Sequence, residues 1–424
     1  MSNLVYSGYE WLGNIPDDWN LERLSWHMTE IKESNNPIKS TNVLSLTNKL
    51  GVVPYEEKGN QGNVAKEDYS QYKLAYPNTI IANSMNVLIG SVGKCNYFGC
   101  VSPVYYVFKP NDGENIDFLN YIFQLQPFQK ELRRYANGIL EIRLRVSASN
   151  ILKREVALPS TSQQVKIVNN LNRKCAQIDG LIAIQEQEIE KLKAYKQSLI
   201  TEVVTKGLDP NAEMKDSGVD WIGNVPASWK ISKIKREYDV VLGKMIDSKK
   251  YSDVTDNYLC SANIKWNGVD TSVNKKMVFT DLEKSQYLLQ KGDVLITEGG
   301  SVGTACVYRN EFYPCYIQNS VHRCRSKGEN LSNYLYYWMF AVVASGYIDS
   351  ICNKATIKHY TKEKVETTPI VIPDCVTQSN IVQYLDIKCL HIDSLISMKE
   401  KKISYLNDYR KSLIYEYVTG KKEV

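Results

Sequence analysis

"LPSTSQQVKIVNNLNRKCAQIDGLIAIQEQEIEKLKAYKQSLITEVVTKG" occupies residues 158–207, and "IPDCVTQSNIVQYLDIKCLHIDSLISMKEKKISYLNDYRKSLIYEYVTGK" occupies residues 372–421. The two stretches lie 214 positions apart and match at Pro159/Pro373, Gln164/Gln378, Ile167/Ile381, Leu171/Leu385, Cys175/Cys389, Asp179/Asp393, Tyr195/Tyr409, Ser198/Ser412 and Thr205/Thr419. Each reads as one long helix. Ser160 and Thr161 precede Gln163 and Gln164 by three positions, a capping-box pattern. Gly207 and Gly420 sit where helix stops belong. Inside the first copy, Leu171, Cys175, Ile178, Ile182, Gln185, Ile189, Leu192, Lys196, Leu199 and Val203 follow alternating steps of four and three. The second copy repeats the steps with Leu385, Cys389, Ile392, Ile396, Lys399, Ile403, Leu406, Arg410, Leu413 and Tyr417. Sustained 3,4 spacing is a coiled-coil seam. Gln185/Lys399 and Lys196/Arg410 break it at matched places. Either these polar residues snorkel from an ordinary bundle, or they set register between the helices.

A second repeat lies upstream. "SGYEWLGNIPDDWNLERL" (7–24) matches "SGVDWIGNVPASWKISKI" (217–234), with Ser7/Ser217, Gly8/Gly218, Trp11/Trp221, Gly13/Gly223, Asn14/Asn224, Pro16/Pro226 and Trp19/Trp229 in place. The chain therefore runs head, middle, helix, head, middle, helix. The expected boundaries are 1–158 for the first domain, 159–207 for its helix, 208–216 for a linker, 217–372 for the second domain and 373–424 for the last helix. The four repeated tryptophans read as core anchors, because they recur unchanged in two domains that otherwise differ.

The two middles are related only faintly. "IIANSMNVLIGSVGK" (80–94) resembles "KGDVLITEGGSVGT" (291–304), each an apolar strand with a Ser-Val-Gly turn. "DFLNYIF" (117–123) parallels "NYLYYWM" (333–339), each opening a helix. "ANGILEIRLRVSASNILKREVALP" (136–159) parallels "CNKATIKHYTKEKVETTPIVIP" (352–373). Each middle is expected to be a mixed α/β domain of one plan with its own surface.

Composition bounds the rest. The chain has 424 residues, 43% of them hydrophobic, enough for several cores, and a net charge of +5, compatible with an anionic partner but too small to demand one. The ten cysteines include no C-x-x-C pair, a pattern of reduced thiols in a cytoplasmic protein. The first residues read as no signal peptide, and no apolar run is long enough to span a bilayer.

With its matched long helices, its "Q…IV..L" helix start and its W-[LI]-G-x-[IV]-P-x-x-W head, the chain resembles the specificity subunit of type I restriction-modification enzymes. The resemblance covers essentially the whole chain. It implies an α+β fold: two mixed α/β target-recognition domains separated by two long antiparallel coiled-coil helices, in a pseudo-twofold internal repeat. It further implies a non-catalytic subunit that reads a bipartite, asymmetric double-stranded DNA site and docks two methyltransferase subunits on its helices. S-adenosylmethionine, ATP and Mg then belong to the methyltransferase and restriction/motor subunits, and this chain binds no cofactor and no membrane. A coiled-coil protein scaffold and a self-contained nuclease are the rival readings.

The residues agree with a chain that carries no chemistry. "NNPIK" (35–39) lacks the second Pro and the aromatic of a base-methylation loop, and no G-x-x-x-x-G-K-[ST] phosphate loop occurs. Nothing in the four histidines suggests a metal or nucleophile–base constellation. DNA contact remains, through Lys, Arg, hydroxyl and amide groups. In the first half Arg133, Arg134, Asn137, Arg143 and Arg145 surround an Asn-Gly turn; in the second half Lys354, Thr356, Lys358, His359 and Tyr360 occupy the equivalent place. Matched position with unmatched chemistry reads as a DNA-contacting loop, against a solvated structural hairpin. Ser91 and Lys94, with Ser301 and Thr304, are candidate phosphate holders, against plain β-turns. Gln318 and Asn319, with His322 and Arg323, form a candidate polar edge. The chain alone is expected to show neither methyl transfer nor cleavage; an assay of the purified chain on labelled DNA checks this, and methyl transfer by it would contradict the reading.

Overall fold

A computed structural model describes residues 3–47, 51–59, 68–137, 144–246, 255–352 and 358–424. By contact the chain divides into two units, one of Met1–Gln185 with Glu400–Val424 and one of Glu186–Lys399. Each unit thus holds one head, one middle domain and a stretch of each long helix. No helix among the described residues is long and apolar enough to cross a membrane.

In the first unit, Met28–Ile31, Tyr105–Pro110, Thr79–Asn83 and Val92–Cys95 form a four-stranded antiparallel sheet in that order. In the second, Tyr238–Leu242, Val321–Ser326, Val294–Thr297 and Ala305–Val307 repeat it strand for strand. The central strands are fully buried, as Ile80, Ile81 and Ala82 and, in the second unit, Val294, Leu295 and Ile296 show, which explains their unbroken apolar runs. A helix follows at matched places in each unit, Ile116–Gln124 and Ser332–Ala344. The two copies separate in their outlying strands. The first unit adds the hairpin Leu44–Thr47/Gly51–Pro54, whereas the second adds Lys275–Met277, Asp256–Leu259 and Tyr316–Ile317 as a three-stranded sheet.

Each middle is closed by one more pairing. Asn20–Arg23, just after the first head, pairs antiparallel with Glu155–Leu158, just before the first long helix; Lys230–Lys233 pairs with Pro369–Ile372 in the same way. The long helices are Thr161–Lys206 and Cys375–Val418. At the first, Ser160 and Gln163 bond reciprocally, backbone to side chain, as a capping box. Gln164 does something else: buried, it donates to the Pro159 carbonyl at 3.0 Å, and Gln378 donates to Pro373 at 2.9 Å. The Pro-x4-Gln match is therefore a repeated turn-to-helix clasp.

The helical stretches run antiparallel within each unit. In the first, Asp179 early in one helix accepts from Arg410 late in the other at 2.7 Å; in the second, Asp393 accepts from Lys196 at 2.7 Å and Glu188 from Lys399 at 2.7 Å. Three of the four polar breaks, Lys196, Lys399 and Arg410, thus pair across the seam, and the two Asp pairs are repeats of one interaction. Pairs so open to water contribute about 0–1 kcal/mol each. Apolar residues supply the packing, with Leu171, Ile178, Leu413 and Tyr417 in one core and Leu199, Val203, Leu385 and Ile392 in the other.

The heads receive the helix ends. Gly207 (φ +79°) lies under Trp229, and a Cβ there would stand 3.0 Å from the indole; Gly420 (φ +71°) lies under Pro16 and Trp19, where a Cβ would meet Pro16 at 2.3 Å. Lys421 then donates to the Leu12 and Asn14 carbonyls. Gly420→Ala is expected to destabilise the first unit by about 1–3 kcal/mol, from a left-handed backbone and overpacking together; chemical denaturation of the variant measures it.

Candidate nucleic-acid interface

In the second unit three loops meet at one end of the four-stranded sheet. Beyond Val294–Thr297 the chain turns through Glu298–Thr304, a tight loop held by Thr297 donating from its hydroxyl to the Ser301 carbonyl at 2.5 Å and by the Gly303 N–H bonding Thr297 at 3.0 Å. Gly303 has φ +79°, and a Cβ there would stand 2.3 Å from Ile348, so the turn requires glycine. Gln318–Ser320 lies beside it, because the Glu298 N–H donates to the Ser320 carbonyl at 2.9 Å. The third piece, Lys358–His359, is tied down where the Tyr360 N–H donates to the Glu298 carbonyl at 2.9 Å.

The first unit builds the same frame 214 positions earlier. Asn83 and Thr297 close the equivalent turns, and the Val146 N–H donates to the Ser84 carbonyl at 3.2 Å as Tyr360 does to Glu298. Asn137 and Arg145 exchange both backbone hydrogen bonds, at 2.8 and 2.9 Å, as an antiparallel bridge; Arg145 stands at the place of His359.

This frame sorts the candidate residues. Ser301, Gln318, Asn319, Lys358 and His359 come together in the second unit, with Lys358 and His359 exposed. Lys358 bonds Asp349 at 2.7 Å, and Gln318 and Asn319 bond each other. Asn137 and Arg145 are exposed in the first unit, and so is Arg133. Arg134 lies further along, paired with Glu10 at 3.0 Å and Glu131 at 3.1 Å. Arg143, Lys354 and Thr356 lie outside the described residues.

Other candidates belong to the scaffold. Tyr360 is fully buried, its hydroxyl against that of Thr368 at 2.5 Å, so it is a core residue and faces no ligand. Ser91 and Thr304 are buried and serve their turns through backbone bonds, and Lys94 bonds Asp117 at 2.9 Å on the following helix. The Ser-Val-Gly segments also differ: Val92 already begins a strand, whereas Ser301-Val302-Gly303 lies within the loop. His322 and Arg323 form no polar edge. His322 is buried with Nε2 2.8 Å from the Tyr360 carbonyl, and Arg323 is buried against Asp239 at 3.0 Å. Glu298 and Ser84, at the centre of the two frames, escape a search for basic and amide residues; the repeated backbone bonds from Val146 to Ser84 and from Tyr360 to Glu298 find them.

Burial lowers the His322 pKa to about 4, despite its bond to the Tyr360 carbonyl. An unfolded histidine protonates near pH 6.5. As pH falls from about 6.5 to about 4 the unfolded chain takes the proton first, so stability contributed by neutral His322 is lost across that window. His322→Gln is expected to remove this part of the pH dependence, as measured by thermal unfolding of variant and parent across the window.

Residues 226–407 match the family model of the type I restriction modification DNA specificity domain. A relative, the type I restriction enzyme MjaVIII specificity subunit of Methanocaldococcus jannaschii, is 24% identical over 285 residues, or 64% of this chain, and the match spans 62% of that relative's length. Among solved structures, one described as the structural basis of complex assembly and conformational transition of the type I R-M system is similar over 95% of this chain and 98% of its own, with a TM-score of 0.73 at 15% identity. The HsdS subunit from Thermoanaerobacter tengcongensis is similar over 98% and 99%, with a TM-score of 0.55 at 16% identity. Their likeness is one of fold. Residues 226–407 thus match the type I restriction modification DNA specificity domain in sequence, and nearly the whole chain is similar in fold to type I R-M structures, an HsdS subunit among them.

Proposed function

We propose that this chain is the DNA-recognition subunit of a type I restriction-modification complex and has no catalytic role of its own. It reads one half of a bipartite, asymmetric site with each middle domain, in the cytoplasm. The observation that carries this reading is the contrast between frame and lining. Backbone bonds at Asn83/Thr297, Ser84/Glu298 and Val146/Tyr360 repeat, yet the side chains they present differ: Asn137 and Arg145 in one unit, Ser301, Gln318, Asn319, Lys358 and His359 in the other. One scaffold presenting two sets of donors suits two different sequences of bases.

The helices carry the opposite pattern. Tyr195 and Tyr409 are identical yet 56% and 53% exposed, and Ile184 and Met398 are exposed apolar residues at matched places. Packing within the chain does not account for keeping them. A partner that binds twice does, and in this reading it is the methyltransferase subunit, which brings S-adenosylmethionine. The restriction/motor subunits, joined through the complex, bring ATP and Mg chemistry.

Methylated bases mapped in cells with and without the gene test the proposal. A two-part sequence should lose its methylation when the gene is deleted; an unchanged pattern contradicts the reading. In vitro, binding to that site should weaken steeply with salt. Lys358→Ala should lower the magnitude of the log–log salt slope by about 1 if the ammonium meets a phosphate, as measured by equilibrium binding at several salt concentrations. A scaffold that binds only proteins would show no such dependence.

A further inference from the structure

At the centre of the second frame stands a carboxylate. Glu298 is fixed through its backbone on both sides, donating to Ser320 and accepting from Tyr360, each at 2.9 Å. Its side chain is only 17% exposed. Among the described residues its nearest basic groups are His359 Nδ1 at 3.8 Å and His322 Nε2 at 4.0 Å, both beyond hydrogen-bond length, and His322 Nε2 is already engaged with the Tyr360 carbonyl at 2.8 Å. Burial raises the Glu298 pKa, and His359 opposes the shift. With no donor within hydrogen-bond length among its described neighbours, the carboxylate keeps its acceptor positions for solvent or for an arriving donor. In the first unit the matched position is Ser84, itself buried. The acid is therefore no requirement of the frame.

On a face that meets DNA, a carboxylate is repelled by phosphate, and the donors the DNA itself offers in the major groove are base amino groups. In the major groove the amino donors are cytosine N4 and adenine N6. Adenine sets its N7 acceptor beside N6, against the second carboxylate oxygen; cytosine has no acceptor there. Gly299 and Gly300, next in the chain, leave no side chain between the loop and an approaching base edge. We propose that Glu298 determines specificity in the second domain by accepting a hydrogen bond from the N4 amino group of a cytosine in its half-site. This rests on the DNA-recognition reading above.

The test uses the assembled complex and a library of sites randomised in both halves. The parent should show one position in the second half-site confined to cytosine. Glu298→Gln, whose amide suits adenine, should reduce discrimination for cytosine there by about 5- to 150-fold, the equivalent of 1–3 kcal/mol per good base contact. Glu298→Asp, which keeps the carboxylate, should retain cytosine as the preferred base. Preferences in the first half-site should not move, which separates loss of reading from loss of folding. Unchanged cytosine preference in Glu298→Gln, or a second half-site with no cytosine-confined position in the parent, overturns the proposal. A parent complex that selects no sequence at all overturns the DNA-recognition reading instead.

Discussion

Each long helix stops at a glycine seated under a tryptophan, and the layout of each unit depends on that contact. Gly207 fits beneath Trp229 and Gly420 beneath Trp19 and Pro16, both with left-handed backbones and no room for a Cβ. The head that follows the first long helix in sequence receives that helix; the head at the start of the chain receives the second. Since each head also leads into the strand that closes its middle domain, helix end, head and middle domain are locked in series. A domain fixed this way can vary its loops without changing how it is held.

Conservation between the two halves follows the same division. Matched residues that do structural work have partners inside the chain: Gln164 and Gln378 clasp the preceding proline carbonyl, Asp179 and Asp393 meet cations across the seam, and Thr205 and Thr419 donate to Thr201 and Tyr415 one turn back. Even a polar contact between domain and helix repeats, with Tyr121 donating to Asn172 at 2.7 Å and Tyr337 to Asp386 at 2.6 Å. Where the halves differ, at Ser84 against Glu298 or Arg145 against His359, the backbone frame stays while the chemistry changes.

Much of this is legible in the sequence, because repetition reports what packing requires. The seam, the capping box at Ser160 and the core role of the tryptophans follow from spacing and identity, and Trp11 and Trp229 are indeed buried. The candidate interface is less legible. Charge and hydrogen-bonding capacity do not reveal where a side chain points. Arg323 looks like a DNA contact until strand pairing sets it against Asp239, 84 residues away, and Tyr360 looks like part of a basic loop until its backbone ties it beneath Glu298. Period-two reasoning also fails for Val321–Ser326, whose first four residues are all buried, because both faces of that strand are covered. Glu298 is missed for a different reason: an acid is not what one seeks on a polyanion-binding face.

The central claim is that two independent readers share one scaffold. Replacing Val240–Val371 with the corresponding segment of a relative, and mapping methylated sites in cells carrying the exchange, tests it most directly. The account predicts that one half of the recognised sequence changes and the other half stays as it was. A change in both halves, with the complex still active, would contradict it.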